Sequence, residues 1–235
     1  GENPLSPERG QLLLALTCMD IDSTSFNKIK SKVDFSYSDL RNSSLKHIDF
    51  SGINLESADL SNADLTGINF DNSRLRDVTM TGAILNEATL NNTDIRSASM
   101  AWIQMNKGEL KFTDATGADL SYGQFQHADL SGSTFVIADL TSSKLTNTAL
   151  MQADFAVTNL TKADLSNSNL RGGRLIKANI AETTFSSSIL EGVEVSSDWF
   201  SIYKGETMNK LQEQYEIVDS TSATGSTKFY LNTKD

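Results

Sequence analysis

The sequence predicts an all-β solenoid, and three observations predict it. Every fifth residue from Phe35 to Phe200 is apolar: 34 positions, 19 of them Leu and 8 Phe, with no insertion or deletion across 166 residues. At 38% hydrophobic content such a run arises by chance at roughly 10⁻¹⁴, so it records architecture rather than composition. Two residues before each of these positions, 33 of 34 residues are Ala, Ser, Thr, Gly, Val or Ile, as at Ala58, Ala63, Ala118 and Ala163. The residue between the small and the large one is Asp in twelve units, Asp59, Asp64 and Asp129 among them.

A period of five fits neither the helix at 3.6 nor the flat strand at 2. One small and one large inward residue per five require a chain that turns a corner every five residues. Four corners close a coil of 20 residues, and coils stacked at strand spacing make a rod of about 8.5 coils and about 41 Å. The inward columns can then be written out. One holds Phe35, Leu55, Leu75, Ile95, Ala115, Phe135, Phe155, Leu175 and Val195; the next runs from Leu40 to Phe200, the third from Leu45 to Phe185, the fourth from Phe50 to Leu190. Each buried Leu or Phe contributes about 1.5–3 kcal/mol. Ala115 leaves a thin spot, to be filled either by Phe112 folding inward or by bulky neighbours.

The unit A-(D/N)-L-x-x resembles the pentapeptide-repeat family, and the resemblance covers Val33 to Phe200. It implies a right-handed, four-sided β-helix in which the small residue and the Leu or Phe stack in columns.

The ends of a solenoid need caps, since they expose apolar columns and unpaired edges. Residues 1–32 are expected to supply one. Ser6 reads as an N-cap with Pro7 at the first helical position. Leu12, Leu13, Leu14, Leu16 and Met19 follow as a short apolar helix, with Cys18 packed in the cap and Phe26 and Ile29 in an irregular starting turn. Gly1 reads as a tag remnant, with the expectation that any export signal was lost with the native start. Residues 201–235 follow the rod. There Thr207–Val218 reads as a helix with Met208, Leu211, Tyr215 and Val218 on one stripe, followed by a Ser/Thr/Gly loop from Asp219 to Thr227 and a short strand Lys228–Leu231. This segment is a C-terminal cap, a homodimerisation element or a linker to a further domain.

Composition excludes several classes. Twenty Lys+Arg against 30 Asp+Glu give a net charge of −10, which disfavours direct nucleic-acid binding. No apolar stretch is long enough for a membrane-spanning helix. One cysteine forms no internal disulfide and no cysteine-based zinc site. The two histidines, His47 and His127, fall on one face four coils apart, about 19 Å, too far to share a metal. His127 and Asp129 invite a catalytic reading, but Asp129 is the ordinary acidic position of its unit. No catalytic, cofactor or metal residues are expected, and the chain reads as a non-enzyme.

Function then rests on the surface. Most Asp residues precede the Leu or Phe because Asp suits tight turns. On two adjoining faces, Asp34, Asp94, Asp114 and Asp154 run beside Asp39, Asp59, Asp119 and Asp139, and such a rod can imitate the phosphates of duplex DNA. The resembled family includes quinolone-resistance proteins that bind DNA gyrase in this way, which makes gyrase the partner in this alternative. Arg74, Arg76, Arg96, Arg171, Arg174 and Lys177 dilute the mimic. The apolar outward positions are more distinctive. Trp102 and Tyr122 hold the same position one coil apart. Val136, Ile137, Val157 and Ile176 cluster at one corner, and Ile84, Phe112 and Ile189 are further exceptions. The leading expectation is therefore a protein-protein interaction module, a rigid rod presenting a partner surface. It is expected in the bacterial cytoplasm, or as part of an effector delivered into a host cell.

Overall fold

A computed structural model describes residues 4–19, 21–203, 205–222 and 226–234; Gly1 lies outside them. From Asp39 to Glu194 the chain forms parallel bridges between residues 20 apart, such as Asp39 with Asp59 and Asp119 with Asp139. The result is a β-helix whose coil turns four times. At most turns the N–H after the corner reaches back to the large residue's carbonyl, as Ser43 does to Leu40 (3.2 Å). Backbone bonds join successive coils: the Leu40 N–H donates to the Asp59 carbonyl (2.8 Å), the Asn42 N–H to Ser61 (3.0 Å), and the Asp59 N–H to Ser38 (3.0 Å).

The inward columns are the core, and every fifth residue from Leu55 to Leu175 is at most 1% exposed. Phe135 and Phe155 stack at 5.0 Å between centroids. Ala115 is fully buried in the column between Ile95 and Phe135, whereas Phe112 is 65% exposed, so the inward placement of Phe112 is not realised. At most of the Ser and Thr small positions the hydroxyl donates to a carbonyl of the coil before, as Thr93 does to Phe70 (2.8 Å) and Thr183 to Leu160 (2.7 Å), while Ser38 and Ser43 donate within their own turn. Those hydroxyls are buried with partners, which removes the cost of burying them; the Ser143 hydroxyl is buried without one among the described residues.

The N-terminal segment starts with a helix. Helix α1 (Pro7–Thr17) has Ser6 as N-cap, its side chain accepting from the Arg9 N–H. Ser6 also extends the ladder under the first coil, donating its N–H to the Tyr37 carbonyl (2.7 Å). A second helix, α2 (Ser23–Lys30), stands where an irregular turn was expected, with Asp22 as N-cap. Phe26 on α2 continues the Phe50 and Phe70 stack, 6.1 Å from Phe50. The Lys30 side chain is buried, and its Nζ donates to the carbonyls of Asp49 (2.8 Å) and Ser51 (3.1 Å). One ammonium thus takes the place of N–H groups that a preceding coil would have supplied. Burial pulls the Lys30 amine below its ordinary pKa. Cys18 is exposed rather than packed, because α1 turns its buried side, Gly10 and Leu13, to the coil.

At the other end the ladder stops at Glu194, short of the expected Phe200. Strand β1 (Glu194–Val195) leads into the short helix α3 (Trp199–Ile202), where Trp199 is 1% exposed and Phe200 is half-buried. Asp198, the one break in the small-residue pattern, marks this change. Helix α4 (Glu206–Gln214) is shorter than the expected Thr207–Val218. Tyr215 and Val218 belong to strand β2 (Tyr215–Thr221), which pairs with β3 (Thr227–Thr233) where a loop and a shorter strand were expected. Residues 223–225 of that expected loop lie outside the described residues. Strand β3 pairs antiparallel with β1, so it covers the last open edge. Met208, Leu211 and Tyr215 are buried in the core cluster. The Tyr215 hydroxyl accepts from the Leu190 N–H (3.1 Å) and the Tyr203 hydroxyl donates to the Ala178 carbonyl (2.5 Å), side chains again standing in for a missing coil.

Candidate functional site

Each corner places one residue at positive φ, two after the Leu or Phe, and the described chain has 25 such residues that are not glycine. The third position of this turn favours Gly and Asn. Asn42, Asn62, Asn72, Asn92 and Asn147 obey that preference. Trp102 (φ 64°), Phe112 (57°), Tyr122 (58°), Ile137 (54°) and Val157 (60°) do not, and all five are exposed. Bulky and β-branched side chains in this region cost about 1–2 kcal/mol each. They also fan outward here, which is why Phe112 lies across Gly132 rather than entering the core: a Cβ on Gly132 would meet its ring at 2.6 Å.

Trp102 and Tyr122 form the stack that their spacing predicts. Their ring centroids are 4.1 Å apart and the planes lie within 3°. Trp102 remains 59% exposed and Tyr122 43%, so the stack presents an aromatic face to solvent. At the neighbouring corner, the Ile137 N–H donates to Ala156 (3.2 Å), the Val157 N–H to Ile176 (2.9 Å), and the Gly117 N–H to Val136 (3.0 Å). The ladder therefore brings Val136, Ile137, Val157 and Ile176 together on consecutive coils. Ile137 and Val157 are exposed, and Val136 and Ile176 are half-buried. Ile84 is half-buried on another side, and Ile189 is exposed near the C-terminal end.

One side of the rod joins these two corners. It carries Ser99, Asp119, Asp139 and Asn159 in one column of the ladder. Asp119 accepts the Ser121 N–H (3.0 Å) and Asp139 the Thr141 N–H (2.8 Å). The same bond recurs at Asp34, Asp59, Asp94, Asp114 and Asp154, so the aspartates cap turns, as Asp and Asn do in general.

The acidic columns are punctuated by cations. Arg41 lies 2.6 Å from Asp39 and 3.8 Å from Asp59. Arg96 lies 2.5 Å from Asp94 and 3.6 Å from Asp114. Arg174 pairs with Asp154 (2.5 Å) and Arg9 with Asp34 (3.4 Å). Hydrogen bonds from the Arg41 side chain to Asp39 and from the Arg96 side chain to Asp94 hold both carboxyls below the usual carboxylate range. Of the eight aspartates, Asp119 and Asp139 alone make no ion pair among the described residues. Part of the signal lies in the sequence: Arg41 and Arg96 stand two residues after the first acid of the stacked couples Asp39/Asp59 and Asp94/Asp114, whereas Ser121 follows the first acid of Asp119/Asp139.

His47 and His127 stand in one corner column, both exposed and four coils apart. Among the described residues no three His, Cys, Asp or Glu side chains group so as to hold a metal ion, and no helix is long and apolar enough to cross a membrane.

The family model of pentapeptide repeats matches the chain in 8 copies, over residues 34–72, 73–111, 109–135, 124–155, 135–172 and 158–194. No curated protein matches it. Similar solved structures include HetL, a pentapeptide repeat protein involved in heterocyst differentiation regulation from the cyanobacterium Nostoc sp. strain PCC 7120. It is 26% identical over 67% of this chain and 81% of its own, with a TM-score of 0.33. QnrB1, a plasmid-mediated fluoroquinolone resistance protein, is 15% identical over 75% and 91%, with a TM-score of 0.32. Rfr23 from the cyanobacterium Cyanothece 51142 is 18% identical over 66% and 88%, with a TM-score of 0.30.

Proposed function

The chain belongs to the pentapeptide-repeat family, and from that premise we propose that it is a non-catalytic interaction module whose partner docks on the side bounded by Trp102 and Tyr122 and by Val136, Ile137, Val157 and Ile176. The proposal includes the right hand of the coil. It treats the segments before and after the repeats as end caps. The observation that carries it is the exposed Trp102–Tyr122 stack. An aromatic pair of this kind offers a large rigid contact area at little entropic cost. Both rings stand at backbone positions where Gly or Asn is less strained, so stability alone would not place them there. The coil beneath is fixed on every side by backbone bonds, and a rigid surface loses little freedom on binding.

A photoreactive phenylalanine analogue at position 122 or 137, with one at position 152 as control, tests the reading. Position 152 occupies the corner diagonally opposite position 122, off the side that 122 and 137 bound. Adducts from 122 and 137 but not from 152, in extract of the source cells, support it. Adducts only from 152, or from none of the three, overturn it.

The DNA-mimic alternative has weaker support. Four arginines tie down six of its eight aspartates, which offsets four of the six negative charges and breaks up the line.

A further inference from the structure

We infer that the partner brings an arginine, flanked by apolar side chains, onto Asp119 and Asp139; this rests on the interaction-module reading and adds the partner's chemistry to it. Four places in the ladder put two carboxylates on adjacent coils: Asp39 with Asp59, Asp94 with Asp114, Glu109 with Asp129, and Asp119 with Asp139. Like charges placed opposite each other in neighbouring strands repel. Three of the four pairs carry their own cation, always two residues after the first acid. Arg41 bridges the first pair at 2.6 and 3.8 Å, and Arg96 the second at 2.5 and 3.6 Å. Lys111 lies 2.7 Å from Glu109, and Asp129 also helps to raise its pKa.

The fourth pair has Ser121 in that position and makes no ion pair among the described residues. It is also the pair that lies between the two exposed apolar corners. The first two pairs show what a stacked couple of carboxylates accepts: one guanidinium whose fork spans both coils. At Asp119 and Asp139 that guanidinium has to come from outside. The Trp102 and Tyr122 rings on one edge, and Ile137 and Val157 on the other, then receive apolar neighbours of the arginine, and the aromatic face itself attracts a cation. Nucleic acid is the wrong occupant, since its phosphates meet carboxylates. A protein segment of alternating basic and apolar residues fits both features.

The test uses three blocked pentapeptides, Leu-Arg-Leu-Arg-Leu and its Gln and Glu counterparts, titrated into the isotope-labelled full chain and followed by NMR. The Arg peptide is expected to shift the Trp102 indole and the amides around 119, 122, 137 and 139, and to bind about tenfold tighter than the Gln peptide. Asp119→Asn with Asp139→Asn should remove that tenfold preference, because Asn keeps the turn bond while losing the charge. Asp39→Asn with Asp59→Asn should leave it intact. Ser121→Arg should supply the missing internal cation and abolish the preference with the coil unchanged. Equal binding of the Arg and Gln peptides at this side would overturn the inference and leave the interaction surface standing. No shift at this side with any peptide would also overturn it, and the crosslinking from positions 122 and 137 then decides the surface separately.

Discussion

Gly10 on α1 lies so close to Asp39 of the first coil that a Cβ on Gly10 would stand 2.0 Å from the Asp39 carbonyl oxygen. The neighbour is backbone and cannot swing aside. Gly10→Ala is therefore expected to push α1 off the first coil and destabilise the chain by about 1–3 kcal/mol, the usual cost of overpacking. Denaturant midpoints check this, with Gln11→Ala on the exposed side of α1 as the near-neutral control. An unchanged midpoint for Gly10→Ala would show that α1 is not docked as described.

Leu130 is fully buried in its column. Leu130→Lys places an unpaired ammonium there, a change that marginal stability does not absorb. The variant is expected to lose the native circular dichroism spectrum or to accumulate insoluble, whereas Asp119→Asn melts with the native chain. A soluble, cooperatively melting Leu130→Lys protein would contradict the inward placement.

Val157 holds φ 60° and is exposed. Asn tolerates this conformation better, so Val157→Asn is expected to raise stability by about 1 kcal/mol, read as a shift in thermal midpoint. The same change should weaken the partner complex. A lower midpoint would mean that contacts of Val157 along the corner outweigh its backbone strain.

The carboxyls of Asp39, Asp64 and Asp94 titrate below their ordinary range, chiefly because Arg41, Lys46 and Arg96 hydrogen-bond to them. A carboxyl depressed in the folded state releases its proton more readily there than in the unfolded chain. The resulting stability is fully present above the unfolded pKa of about 3.9 and is lost as pH falls through the lower folded values. Urea midpoints should therefore be level from pH 7 to about pH 5 and fall below about pH 4. A midpoint that rises on acidification would show that repulsion within the acidic surface outweighs these pairs.

With gyrase, the chain is expected to leave supercoiling and its inhibition by a quinolone unchanged. Protection or inhibition that disappears in Asp119→Asn with Asp139→Asn would restore the DNA-mimic reading and move the partner from a basic segment to a topoisomerase.

The rod was legible in the sequence because a strict period leaves the chain no other register. The columns from Phe35 to Val195 and the Trp102–Tyr122 neighbourhood follow from counting by five and by 20, and the Ser6 cap from the Ser-Pro start of a helix. The ends were less legible, since there the period stops and tertiary contacts decide. Tyr215 and Val218 fit the stripe of a helix, yet pairing with β3 took them into a strand. Lys30 reads as a surface residue until the bare carbonyls of Asp49 and Ser51 are seen to need a donor. Phe112 was open to an inward reading because the positive φ at its corner, which turns it outward, is a property of the turn rather than of the residue. At the candidate site the sequence displayed the apolar residues. The missing ion pair of Asp119 and Asp139 emerged once Arg41 and Arg96 were placed.

The unbroken ladder of residues 20 apart also governs how the molecule bears load. Each coil is held by its two neighbours and by no distant segment, apart from the capped ends. Tension applied between the termini would therefore concentrate on whichever terminal turn is last to be wound. Once a cap has been pulled away, the chain should spool off coil by coil, each freeing about 70 Å of extended polypeptide. A force–extension trace would show that as a staircase of even treads, and a single abrupt rupture would argue that the coils do not yield one at a time.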